Sequence, residues 1–262
     1  MKRSTQQIIL SGALDPDTQA YINAVELTDG QPLERNVRIG VNEFIVGCKQ
    51  DGNWNAIASS CILAGARTLA GALIPLKGVA PSNVNFVASD YNRKTGLLGD
   101  GSTKYLNTNR NDNADPLNDC HISAYVSQPS SQSAGVYSYI GASKDVSFYS
   151  GRIIHLDVGG GINVFMRYGE NPAIGANTGG FIGGSRNNGV DFVGRIARAS
   201  STITRSSDTA VAIPITVFAL SYGASIIRYS SPRIVFYSIG SSIDLLKLEF
   251  RVNNLVSALG AV

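Results

Sequence analysis

The sequence predicts a mainly β protein, a β-sandwich preceded by a small α-helical module and closed by a C-terminal helix. Three observations predict it. From about Thr68 to residue 240, short apolar runs alternate with clusters of Gly, Asn, Ser and Pro, the pattern of antiparallel strands joined by tight turns. Charged residues make up only 16% of the chain, against about 25% in an average globular protein, and 28 of the 262 residues are Gly. Outside that stretch the apolar residues return at helical spacing.

The first seventy or so residues carry the helical signal. Asp15-Pro16 opens a short segment, about Asp17 to Val25, and Leu33, Val37, Val41, Phe44, Ile45 and Cys48 then share one helix face, with Pro32 suited to its first turn. Asp51-Gly52 supplies a stop, because Gly accepts the left-handed backbone that follows a helix. Asn53 is placed to cap a second helix, Asn53 to Ala64, with Trp54, Ile57, Ala58 and Cys61 on one side. That segment holds no Lys or Arg, so the expected hairpin is a packing unit and not a DNA reader.

In the β region, His121 to Val126 and Ile162 to Tyr168 alternate with period two, as half-buried strands do, whereas Ile213 to Leu220 is apolar on both sides and belongs inside a sheet. Beyond residue 240, Leu245, Leu248, Val252, Leu255, Leu259 and Val262 repeat at 3,4,3,4,3. This short heptad pattern offers two uses for Leu245, Leu248, Val252, Leu255 and Leu259, closing the sandwich or lining an oligomer axis. The pattern divides the chain into a helical module over 1–75, to which the resemblance described below gives an attachment and assembly role, a sandwich over 76–240 and the helix over 241–262.

Several function classes are excluded or weakened. The net charge of +3 comes without a Lys/Arg cluster, so no nucleic-acid partner is expected. No apolar run approaches the roughly 18 residues of a membrane span, and Ile8-Ile9-Leu10 is too short for the core of a signal peptide, so synthesis in the cytoplasm is expected. Cys48, Cys61 and Cys120 are odd in number and lack metal-ligand spacing, which predicts reduced core thiols.

The search for chemistry predicts no catalytic residue, cofactor or metal. Glu170 is the sole glutamate between residues 44 and 248, so no strand offers the carboxylate pair of a glycosidase; Asp157 and Asp191 sit beside Gly turns as turn formers. His121 and His155 lack any triad or zinc-helix signal. Gly96-Leu-Leu-Gly-Asp-Gly-Ser-Thr-Lys104 looks like a phosphate loop, but its lysine follows the hydroxyl residues instead of preceding them. The loop Asn109 to Asp119 is rich in oxygen ligands suited to calcium yet lacks the glycine and terminal glutamate of an EF-hand. Tyr137, Tyr139 and Tyr149, near Ser and Gly, are candidates for stacking on a sugar, although strands favour tyrosine in any case.

The segment Asn85 to Asn109, with its Gly-Leu-Leu-Gly-Asp-Gly-Ser-Thr-Lys-Tyr-Leu phrase, resembles the opening strands of concanavalin A-like (laminin G-like) jelly rolls in phage and prophage structural proteins. The resemblance continues at His121 to Ser127 and at Arg233 to Leu245. Upstream, Glu43 to Trp54 and Cys61 to Leu76 are similar to the helical preamble beside this jelly roll in tailed-phage virion proteins. It implies a jelly roll of two antiparallel sheets and a virion location, most readily in a tail fibre or tail, alternatively on the capsid surface as a decoration or head-fibre protein. It also implies other virion proteins as partners of the N-terminal module and a homo-oligomer, a trimer first. Host-surface glycan is a partner by analogy of fold, with attachment as the role and a depolymerase as the enzymatic alternative. No catalytic residue is carried over.

Overall fold

The computed structural model describes residues 14–133, 135–144, 151–168 and 172–260. Helix α1 spans Pro16–Asp29 and α2 Arg35–Gln50. Asp15 caps α1 by accepting the Asp17 N–H, and Gly30 ends it at a φ of 67°. Helix α2 begins at Arg35, so Pro32 lies ahead of it and not in its first turn.

Strands β1 (Ile57–Ile62) and β2 (Pro75–Lys77), with the single-turn helix α3 (Leu69–Ala72) between them, come next. They are followed by β3 (Ser82–Val84), β4 (Tyr91–Asn92), β5 (Gly96–Leu98), β6 (Tyr105–Asn111), β7 (Cys120–Gln128) and β8 (Tyr137–Ser143). The middle of the chain gives β9 (Arg152–Leu156), β10 (Gly161–Met166), β11 (Ala173–Ala176), β12 (Gly180–Arg186), β13 (Asp191–Ile196) and β14 (Ala199–Thr204). Strands β15 (Pro214–Val217), β16 (Leu220–Tyr222), β17 (Ser225–Ile227) and β18 (Arg233–Gly240) lead into helix α4 (Leu245–Gly260).

The strands form two sheets, ordered β14-β13-β12-β7-β18-β1-β2 and β11-β10-β9-β8-β15-β6-β3, with β4 and β5 beside the first and β16 and β17 beside the second. The expected antiparallel jelly-roll sandwich is what the chain builds, with β16 and β8 as a parallel exception. Ile122, Ala124 and Val126 of β7 share the inter-sheet core with Ile140 of β8, Ile154 of β9 and Ile215 of β15, as the period-two alternation of β7 demands. The apolar run ending at Leu220 does lie inside a sheet: β15 sits between β8 and β6, and Phe218 at a φ of 73° breaks it from β16.

The expected second helix, Asn53 to Ala64, is instead a single turn, Trp54–Ala56, followed by strand β1. The physical reason is double-sided burial. The first sheet packs on the second sheet through Cys61 and on the helices through Ile57 and Ile62, so β1 is apolar on both faces and mimics a helix in its spacing. Because β1 pairs with β18 and with β2, the chain does not separate at residue 75. The N-terminal helices share one core with Phe181, Val235, Phe236 and α4.

Helix α4 runs antiparallel to α2, Gly40 meeting Ala258 and Gly47 meeting Arg251, whose guanidinium pairs with Asp51 at 2.7 Å. A Cβ on Gly40 would stand 2.6 Å from the Ala258 Cβ, so the close crossing requires glycine there. Leu245, Leu248, Val252, Leu255 and Leu259 are all buried in this core, which takes the closing-helix use and leaves none of them for an oligomer axis.

Candidate functional site

On the outer face of the first sheet, α4 leaves a cleft of about 340 Å3 against the strand ends. Strand β7 contributes Tyr125, the start of β12 and the residues before it contribute Thr178, Gly179, Gly180 and Phe181, the β13–β14 turn contributes Ala197 and Arg198, and α4 contributes Glu249 and Asn253. Gly179 and Gly180 hold φ values of 77° and 89°, which glycine adopts without strain; a Cβ on Gly179 would meet the Val126 carbonyl at 3.0 Å, and Gly180 faces open space.

The cleft combines an aromatic face with donors and an acceptor. Arg195 donates through Nε and Nη2 to Glu249 Oε2, and its Nη1 reaches Ser200 Oγ at 2.8 Å, so the glutamate is held rigidly and its charge matched. Burial raises the Tyr125 phenol above its ordinary range, with the Glu249 charge adding to the rise and Arg198 opposing it, so its hydroxyl remains a donor. Arg198 is exposed on a two-residue turn in which both it and Ala197 adopt left-handed φ, 67° and 50°. Such turns usually take Asn-Gly, and each non-Gly residue there costs about 1 kcal/mol.

Of the tyrosines expected to stack on sugar, neither Tyr137 nor Tyr139 lines this cleft. Tyr139 is fully buried; its hydroxyl accepts from the Ser130 N–H and donates to Asn177 Oδ1, each at 3.0 Å. It is therefore a core residue that anchors the segment leading into Thr178 from behind. Tyr137 is half-buried against the inter-sheet core, and Tyr149 lies outside the described residues. The residues missed, Tyr125, Arg198, Glu249 and Asn253, come from three distant stretches; the available signal was Glu249, a charge set between Leu248 and Val252 on the apolar helix.

Two loops weighed in the sequence as ligand sites have structural occupants. Two carboxylates of the Asn109 to Asp119 loop are taken by arginines and the third by a backbone N–H: Arg152 bonds Asp112 at 2.7 Å and Asp115 at 2.8 Å, Arg167 pairs with Asp112 at 2.9 Å, Arg110 closes on Asp115, and Asp119 accepts the Ser242 N–H at 2.7 Å. Although burial alone raises the Asp115 carboxyl, the Arg110 bond and the Arg152 charge hold it below its ordinary value. In the Gly96 to Lys104 loop, Asp100 Oδ1 accepts the N–H groups of Ser102, Thr103 and Lys104 that a phosphate would need. Among the described residues no group of three or more His, Cys, Asp or Glu is placed to hold a metal, and no helix is long and apolar enough to cross a membrane. Cys48, Cys61 and Cys120 are buried and unbridged, with the Cys48 and Cys61 thiols pushed up to about 12 by burial.

Fold and cleft together define a β-sandwich with a polar, aromatic-floored groove under its closing helix. No family model and no curated protein matches the sequence. Among solved structures, the botulinum neurotoxin serotype D binding domain overlays with a TM-score of 0.49 at 12% identity, covering 75% of this chain and 50% of that one. A Trypanosoma rangeli sialidase mutant displaying trans-sialidase activity gives 0.46 at 8% identity, over 82% of this chain and 39% of the sialidase. An arabinofuranosidase complexed with arabinofuranosyl-alpha-1,2-xylobiose gives 0.45 at 12% identity, over 62% and 40%. The chain thus spans half or less of the length of each.

Proposed function

We propose that this chain is a non-catalytic, glycan-binding structural protein of a bacteriophage particle, a tail-fibre or tail component that presents the Tyr125 cleft to host-surface sugar. The observation that carries the binding half is the convergence of Tyr125, Thr178, Arg198, Glu249 and Asn253 on one open groove. An aromatic face buries the apolar side of a pyranose while a hydroxyl, an amide, a guanidinium and a carboxylate meet its hydroxyl groups. The particle half rests on the phage-like phrases at 43–76, 85–109 and 233–245, and with it go assembly with other virion proteins and homo-oligomerisation.

The non-catalytic part is supported by charge. Glu249 is the one carboxylate among the described residues lining the cleft, and Arg195 occupies its Oε2. Glycoside hydrolysis asks for two carboxyl groups about 5 to 10 Å apart.

The test is a host-polysaccharide binding assay on the wild type and on Tyr125→Ala, run beside a reducing-sugar assay. The expected result is saturable binding that weakens about tenfold in the variant, the loss of a stacking contact, with no sugar released. Binding indifferent to Tyr125→Ala overturns the cleft, and steady sugar release overturns the non-catalytic reading. Gold-tagged antibody on intact particles checks the location, gold at the tail being the expected outcome.

A further inference from the structure

The main strand orders of the two sheets end in four edge strands, and three of them are guarded. Strand β2 is three residues long and carries Pro75 and Lys77; β3 is three residues long behind Pro81; β11 is four residues long behind Pro172. Short length, proline and lysine are the usual means by which proteins stop edges from pairing with other chains.

Strand β14 has none of these. Its six residues, Ala199 to Thr204, contain no proline and no charge, and they pair with β13 in unbroken register from Ile196↔Ala199 to Asp191↔Thr204. Five are exposed and Ile203 is half-buried. A regular, uncharged edge of this length is a template for another strand.

The turn geometry fixes which groups face outward. Ala197 and Arg198 form a two-residue hairpin turn, both at positive φ, so Ile196 and Ala199 are its hydrogen-bonded closing pair. Ladder bonds alternate along an antiparallel strand, which turns the backbone groups of Ala199, Ser201 and Ile203 toward β13 and those of Ser200, Thr202 and Thr204 toward the free edge. That outward set is symmetric about Thr202. A two-fold axis through Thr202 pairs Ser200 with Thr204 and Thr202 with its own copy, about six backbone hydrogen bonds in all. The same register sets Arg205 opposite Ala199 and Arg198 opposite Ser206, so no like charges meet.

We propose that β14 is a self-association edge: two copies of this chain pair antiparallel through Ser200, Thr202 and Thr204 and join their first sheets into one. The axis stands perpendicular to the sheet, so both helix-covered faces, and both clefts, point the same way. The two Arg198 Cα atoms then lie about 27 Å apart, eight residues at ~3.4 Å each, a spacing at which weak sugar contacts act together.

Sedimentation equilibrium across micromolar concentrations reads this directly. The wild type is expected at twice the 27.7 kDa chain mass, and Thr202→Lys, which sets two lysines against each other on the axis, at a single chain mass with an unchanged thermal midpoint. Leu246→Lys, on exposed α4 surface, serves as the control that stays dimeric. A wild type that is monomeric throughout, a trimeric mass, or a dimer that survives Thr202→Lys overturns the proposal; binding of sugar by a monomer leaves the function above intact while overturning this interface.

Discussion

At the scale of single residues, burial decides roles that spacing leaves open. His121 is fully enclosed, with Nδ1 against the Ser241 carbonyl and Nε2 3.0 Å from Ser238 Oγ, and burial lowers its pKa to about 4; burial, then the Arg228 charge, does the same to His155. Both are held neutral in the fold and gain a proton more readily when unfolded, near 6.5. Their contribution to stability is therefore complete above pH 6.5 and is lost as pH falls toward 4, by about 3 kcal/mol for each. Urea unfolding at pH 7, 5.5 and 4 is expected to show the midpoint falling across that window, with a smaller fall in His121→Gln. At Arg198 the strained turn predicts the opposite behaviour: Arg198→Gly relieves the left-handed backbone and raises stability by about 1 kcal/mol while weakening sugar binding, checked by melting and titration on one sample. Tyr139 shows the limit of reading residues by type, since Ser and Gly neighbours accompany exposed and buried tyrosines alike, and its hydroxyl is satisfied inside the core by Ser130 and Asn177.

At the scale of elements, α4 and β1 show what periodicity resolves. The heptad spacing of α4 names its buried face correctly, because a helix packed on one side has one apolar stripe. Leu248→Ala is expected to cost about 3 kcal/mol as a core truncation, whereas Phe250→Ser, on the exposed side, is expected to stay within about 0.5 kcal/mol; chemical denaturation separates them. Gly40→Ala sets two effects against each other. Helix propensity favours Ala by up to about 1 kcal/mol, but the added Cβ meets Ala258 at 2.6 Å, and overpacking costs about 1–3 kcal/mol, so net destabilisation is expected. Strand β1 was not legible for the converse reason. Its residues face apolar neighbours on both sides, and a run apolar on both sides fits a buried strand and a buried helix equally.

At the scale of the whole molecule, the sandwich was legible and the cleft was not. Turn chemistry and alternation are local, so Gly- and Asn-rich breaks between short apolar runs mark strands wherever they pair. The cleft depends on how α4 lies across β7, β12 and the β13–β14 turn, which brings residue 125 to residue 249 and shows in the sequence only as Glu249, a charge beside the apolar stripe of α4. The Asn109 to Asp119 loop likewise depends on tertiary structure, since Asp112 and Asp115 meet Arg152 and Arg167 only after the sheets close. Sugar binding in this groove is read residue by residue in an NMR titration of the labelled chain with oligosaccharide from the host surface. Amide shifts are expected to be confined to Tyr125, Thr178 to Phe181, Arg198, Glu249 and Asn253 and to reverse on dilution; shifts gathered on any other surface, or none at saturating sugar, would overturn the assignment of this groove.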